Sequence, residues 1–215
     1  NLPFEGDSLN NVTDYSYTKT AVTVAGGLWN STGGHDGGGA WTFGARTTDY
    51  MTLDAPKLSG PFAFSFWMYD RDLSTFQNPH IMTGQGNTKI YMSLGSNIMQ
   101  VRIAGTTNSI TTLDTVLNRW THIVVTRNSI VNVSIYQNGI QKTYNYYMPG
   151  DFNISTLSVD SVASFNGTFD DVRIYNRSLS LAEAKLLTSN RTNKMAYQEL
   201  RAGENWSVCV TPNNG

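Results

Sequence analysis

Residues Phe165 to Ser180 read FNGTFDDVRIYNRSLS. Val172 and Ile174 alternate with Arg173 and Tyr175, the two-residue period of a strand that buries one face. Asn176 and Arg177 break the alternation. Ser180-Leu-Ala-Glu183 then has the Ser-x-x-Glu spacing of a capping box, which predicts a short helix over 181–187. Two adjacent carboxylates, Asp170 and Asp171, precede the apolar residues. A half-buried strand of this kind must close a sheet, and the remaining sequence supplies one.

The strongest companion is Phe62 to Met68, FAFSFWM. It sets Phe62, Phe64 and Phe66 on one face and Ala63, Ser65 and Trp67 on the other. Arg119 to Thr126 (RWTHIVVT) and Val131 to Gln137 (VNVSIYQ) follow. The Asn138-Gly139 pair then turns the chain into Ile140 to Asn145, a hairpin signal because both turn positions need positive φ. Shorter strands are expected over 15–24, 40–44, 50–53, 80–83, 89–94, 99–104 and 155–159. Many short strands with regular turn punctuation predict an all-β sandwich or barrel. Ala25 to Gly39 is a glycine-rich loop holding Trp29, His35 and Asp36, without the strand-to-helix setting of a phosphate cradle. We read 1–187 as one domain and 188–215 as a tail. In that tail, Trp206 to Val210 is an edge strand or the start of a following module.

Composition narrows the partners. The 215 residues carry 14% charged side chains and a net charge of -1. Phosphate binding needs a basic stripe, which this chain lacks, so nucleic acid is excluded as the main partner. No apolar run approaches the ~18 residues of a membrane span, so membrane insertion is not expected. The lone cysteine, Cys209, is read as a buried apolar side chain or the open end of a bridge. The missing initiator Met is read as an excised piece of a longer protein with neighbouring modules. Asn-X-Ser/Thr triplets start at Asn11, Asn30, Asn132, Asn153, Asn166, Asn176, Asn190 and Asn205. They match the N-glycosylation pattern and favour a secreted or surface glycoprotein.

The order of FAFSFWM, RWTHIVVTR, SIYQNG and GTFDDVRIYNRSLSLAEAKLL, after a Phe4-Glu5 start and a glycine-rich loop, resembles the laminin-G-like, concanavalin A-like jelly rolls of large surface proteins. The resemblance covers residues 2 to 187. It implies two stacked antiparallel sheets of six or seven strands, one short C-terminal helix, and ligands on the concave sheet or its rim. It also implies a structural calcium ion shared by N-terminal residues and the last strand. Members of such families bind glycans, bind proteins, or only space other modules.

Against this background each candidate group has a chemical reading. Calcium takes six to eight oxygens. Adjacent strand residues point to opposite faces, so Asp170 and Asp171 serve one ion only if a bulge intervenes. We expect Asp170 as a calcium ligand, with Asp7 and Asp14 as partners; the alternative is a salt bridge or turn cap without metal. His35, His80 and His122 lack zinc spacing, and His122 is read as structural. A glycosidase needs two flanking carboxylates. The only glutamates are Glu5, Glu183, Glu199 and Glu204, outside the Glu-X-Asp-X-X-Glu strand of laminarinase-like enzymes. No catalysis is therefore expected. Sugar binding needs an exposed aromatic ring beside polar groups. Trp29, Tyr146 and Tyr147 are the loop aromatics, and Asp70 and Asp72 the rim carboxylates. The sequence thus predicts a lectin-like, carbohydrate-binding or adhesion module of a secreted or cell-surface protein. The alternative is a protein-interaction or spacer module.

Overall fold

The computed structural model of the chain describes residues 1–5, 12–14, 19–44, 46, 48–71, 80–93, 98–103, 110–114, 117–129, 131–158 and 165–189. In chain order the strands are β1 (Val22–Val24), β2 (Leu28–Asn30), β3 (Ala40–Phe43), β4 (Met51–Leu53), β5 (Phe62–Asp70), β6 (His80–Thr83) and β7 (Lys89–Ser93). They continue as β8 (Ile98–Arg102), β9 (Ile110–Asp114), β10 (Trp120–Arg127), β11 (Asn132–Gln137), β12 (Ile140–Tyr147), β13 (Thr156–Leu157) and β14 (Gly167–Tyr175), followed by helix α1 (Leu181–Thr188). They form two seven-stranded sheets, in the orders β1-β4-β13-β6-β7-β8-β9 and β12-β11-β10-β5-β14-β3-β2. Every pairing between these strands is antiparallel. The two-sheet jelly-roll expectation is met. The tail from 190 onward lies outside the described residues, and Thr188 belongs structurally to the domain.

The core lies between the sheets because β5 alternates as its sequence demands. Phe62, Phe64, Phe66 and Met68 are buried in the main apolar cluster. The Phe62 ring stacks on Phe152, with centroids 4.2 Å apart. Rings of this size contribute most of the burial energy of such a core, about 1.5–3 kcal/mol for each side chain fully removed from water. The opposite face of β5 carries Ala63, Ser65, Trp67 and Tyr69. Helix α1 covers one end of that outer face, where Ala63, Val124 and Tyr136 pack with Leu179 and Ala184. The predicted capping box holds the helix: Ser180 accepts the Glu183 N–H while the Glu183 carboxylate accepts the Ser180 N–H. Trp120, an aromatic residue of the kind that fills cores, pairs with Tyr69 on the outer face.

Two local features fix the ends of the sheet. Asn138 and Gly139 adopt φ of 51° and 72°, the left-handed pair that a two-residue hairpin turn requires. Arg127 is fully buried and donates to the carbonyls of Leu58, Gly60 and Gly150, with its guanidinium 4.7 Å above the Phe62 ring. Burial lowers its pKa. The planar fork suits it to clamp several carbonyls at once.

Candidate functional site

The register of β14 decides which groups meet. Phe169 pairs with Met68 toward the core, so Asp170 pairs with Trp67 on the outer face. A β-bulge then falls between Asp170 and Arg173, with Asp171 at φ 49°. The extra residue resets the alternation. Val172 is thereby returned to the core while Arg173 and Tyr175 stay outside with Asp170. Asp171 turns to Arg173, with its Oδ1 2.8 Å from the guanidinium.

The glycine-rich loop folds over this point. Asp170 Oδ2 accepts the His35 backbone N–H at 3.0 Å and lies 2.7 Å from His35 Nδ1. The His35 ring stacks on Trp67, with centroids 4.2 Å apart and planes 14° from parallel, and meets Trp120 edge-on. Such close approach needs Gly34: a Cβ there would sit 2.7 Å from Asp170 Oδ2 and 2.9 Å from the carbonyl oxygens of both Gly38 and Gly39. Glu5 closes the far side, both carboxylate oxygens 3.1 Å from the Gly39 amide. One ligand atom each of His35, Asp36 and Asp170 lies within 4.8 Å of the others.

The electrostatics of this cage are unfavourable as it stands. Burial raises the pKa of Asp170 against the lowering effect of His35, and the charge of Asp171 adds to the rise. Burial likewise raises Glu5, with further upward pushes from Asp36, Asp170 and Asp171 that outlast the Gly39 hydrogen bond. A cation among these carboxylates would reverse that repulsion. The grouped donor atoms are carboxylate oxygens of Asp36 and Asp170 and a ligand nitrogen of the His35 ring, with the Gly38 and Gly39 carbonyls beside Gly34 and the Glu5 carboxylate on Gly39. Calcium prefers oxygen, whereas zinc favours nitrogen and sulfur. The oxygens here are of the kind calcium takes, while the His35 Nδ1 is already turned to Asp170.

A second, neutral polar cluster adjoins it. His122 is buried on β10, its Nε2 2.9 Å from Ser65 Oγ and its Nδ1 2.7 Å from Thr188 Oγ1. Thr188 spends its hydroxyl proton on the Ala184 carbonyl. The imidazole must therefore donate through Nδ1 and accept from Ser65 through Nε2. Burial, aided by the charges of Arg173 and His35, lowers its pKa to about 3, so it is neutral near pH 7. This agrees with the structural reading of His122.

The other sequence candidates are scattered. Asp14 accepts the Asn1 amino group and the Thr20 N–H, both at 2.7 Å, and is not a member of the His35–Asp36–Asp170 group. Asp7 and Asp72 lie outside the described residues. Asp70 ends β5 buried, at 3% exposure, and offers no accessible rim carboxylate. Trp29, expected in a loop, is on edge strand β2; it is half-buried, and its indole N–H donates to the Phe4 carbonyl. Tyr146 and Tyr147 end the opposite edge strand, β12. Six strand spacings separate the two edges, about 29 Å, so Trp29 and the tyrosines cannot share one small ligand. Tyr146 and Tyr147 also point to opposite faces. Tyr147, at 59% exposure, offers the more open ring. Sequence reading missed Glu5, His35 and Asp36 as partners of Asp170. Their signal was the carboxylate after Phe4 and the acidic residue within Gly33-Gly-His-Asp-Gly37.

Residues 43–185 match a laminin-G-type family model described as the concanavalin A-like lectin/glucanases superfamily. No curated protein is significantly similar in sequence. Among solved structures, the binding domain of a paraclostridial mosquitocidal protein superposes with TM-score 0.70 at 20% identity, covering 90% of this chain and 53% of that one. The botulinum neurotoxin serotype D binding domain in complex with N-acetylneuraminic acid gives 0.69 at 15% identity, covering 86% and 49%. The botulinum neurotoxin DC binding domain in complex with rat synaptotagmin II gives 0.68 at 17% identity, covering 88% and 51%. The chain spans about half the length of each. These likenesses establish the fold, and a ligand of a whole toxin binding domain is not thereby located on the matched half.

Proposed function

Since the chain belongs to the concanavalin A-like lectin/glucanases superfamily, we propose that it is a binding module acting outside the cell, taking a glycan at the β12 edge of the sheet that contains β5. The role is binding, not catalysis. Glycoside hydrolysis needs two carboxylates flanking an open bond. Here Asp170 is 1% exposed and bonded to His35, and Asp171 is held by Arg173. The observation that carries the reading is the separation of functions across one sheet. The acidic cage lies closed beneath the glycine-rich loop, while the open aromatic ring, Tyr147, stands at the β12 edge. In this reading calcium bound by Asp170, Glu5 and the loop carbonyls would be structural, pinning the chain's start to its last strand. That two solved neighbours hold a sialic acid and a protein supports glycan or protein as the ligand class. The extracellular setting is supported by the family's surface modules, and no described helix is long and apolar enough to cross a membrane.

A glycan array with the domain in calcium buffer tests this. Wild type should bind a restricted set of glycans, and Tyr147→Ala should lose them. A protein partner is the second reading, favoured by Ile140 at 64% exposure near the start of the same edge strand. A silent array with intact binding to cells, lost on Ile140→Ser, would favour it.

A further inference from the structure

The structure separates the Asn-X-Ser/Thr triplets from one another, and we propose that Asn30 carries an N-linked glycan whose role is to cover the β2 edge, opposite the β12 edge that bears Tyr147. The inference rests on the extracellular reading above. Asn30 ends β2, the last strand of its sheet, with no described strand beyond it. An open edge of unpaired backbone groups is a template for pairing with another chain. Here it carries an exposed apolar residue as well: Leu28 is 65% exposed. Leu28 and Asn30 are two apart on a strand and so point to the same side, while Trp29 turns inward. A sugar on Asn30 would therefore stand beside Leu28.

The local geometry suits the attachment. Asn30 Oδ1 accepts both the N–H and the hydroxyl of Thr32, the third residue of its triplet, at 3.1 and 3.3 Å. This turn commits the carbonyl oxygen, which the modification keeps. It leaves Nδ2, the atom modified, without a hydrogen-bond partner among the described residues. Gly33 supplies the room, since a Cβ there would sit 2.8 Å from Nδ2. In the transfer, Nδ2 forms a bond to the sugar C1 of a lipid diphosphate-linked oligosaccharide. The C1–O bond to the lipid diphosphate breaks, and the amide gives up one proton.

Asn153 shows the opposite geometry. It is 8% exposed, its Nδ2 donates to the Ala55 carbonyl and its Oδ1 accepts the Gln85 N–H. A glycan there is incompatible with the folded domain, although the triplet is equally complete.

The test is site-resolved mass spectrometry of the domain secreted from a eukaryotic cell line, with glycosidase release in heavy-oxygen water marking each occupied Asn. Heavy-oxygen label at Asn30 and none at Asn153 is expected. Absence of label at Asn30, or label at Asn153 in folded protein, overturns the site assignment. Ser31→Pro blocks the transfer while keeping the Asn30 and Thr32 side chains, with Asn30 already in the extended conformation that a following proline favours, and should raise self-association in sedimentation. Ser31→Pro with Leu28→Ser should restore the monomer. If Ser31→Pro folds and remains as monomeric as wild type, the edge-covering role is wrong. Because secretion is imposed in this assay, a silent glycan array would leave these outcomes unchanged.

Discussion

Replacing Asp170 by Asn separates the calcium reading from a purely structural one. Asn keeps the size of the side chain and one carbonyl oxygen to accept the His35 N–H groups. What it removes is the negative charge. Without calcium the loss and the gain nearly offset. Two hydrogen bonds lose their charge assistance, while Glu5 and Asp171 lose a repelling neighbour. In chelator the variant should thus lie within about 1 kcal/mol of wild type. With calcium a hundredfold above its Kd, wild type gains about 2.7 kcal/mol by linkage. In a domain of this size that raises Tm by roughly 5–10 °C. Asp170→Asn should gain little of this. The assay is thermal unfolding of both proteins in chelator and in calcium, with calorimetric titration of the chelated forms. An equal rise in both would remove Asp170 from the ligand set. A wild type indifferent to calcium would refute the calcium reading altogether.

Other consequences are more local. His122 has an unfolded pKa near 6.5 and a folded value of about 3, so below pH 6.5 the unfolded chain binds the extra proton. Its contribution is present above 6.5 and is lost as pH falls toward 3, with the Arg173 guanidinium and the His35 ring facing it. Urea unfolding should show about 2 kcal/mol less stability at pH 5 than at pH 7, and a slope unchanged in His122→Gln would contradict this. Arg127→Met strands the carbonyls of Leu58, Gly60 and Gly150 in the interior, and should cost about 3–5 kcal/mol in urea midpoints. A cost below 1 kcal/mol would show that water replaces the guanidinium. Ser180→Ala removes half of the capping box on α1 and should cost about 1 kcal/mol by the same assay.

The sheets were legible in the sequence wherever one face was buried and the alternation ran unbroken. FAFSFWM became the core strand because its three phenylalanines fall two apart, and the Asn-Gly hairpin and the Ser180 cap appeared where their turn chemistry placed them. Legibility failed where tertiary contact, not local pattern, decides position. Trp120 has the look of a core residue, yet register with Tyr69 sets it on the outer face. Trp29 lies among glycines that read as loop, but a three-residue edge strand is too short to show a period. Asp170 stands out in the sequence as one of two adjacent carboxylates. Its partners were not, because His35 stands 135 positions away in sequence.

The bulge at Asp170–Asp171 explains why this site could not be derived from alternation alone. Continued without it, the period that puts Phe169 in the core would turn Val172 and Ile174 outward and Arg173 inward, a charge buried among phenylalanines. The extra residue lets one strand serve two patterns, apolar residues facing the core on both sides of it and polar residues facing the loop. The left-handed Asp171 turns its carboxylate to Arg173 and leaves Asp170 alone against Trp67 and His35. A carboxylate in that position is closed in by the glycine-rich loop and tied to the start of the chain through Glu5 and Gly39. It can stabilise the module, but it cannot meet a large ligand. In the proposed reading, recognition falls instead to Tyr147, on an edge about three strand spacings from β5, and a calcium ion at Asp170 would stiffen the sheet without touching what is bound.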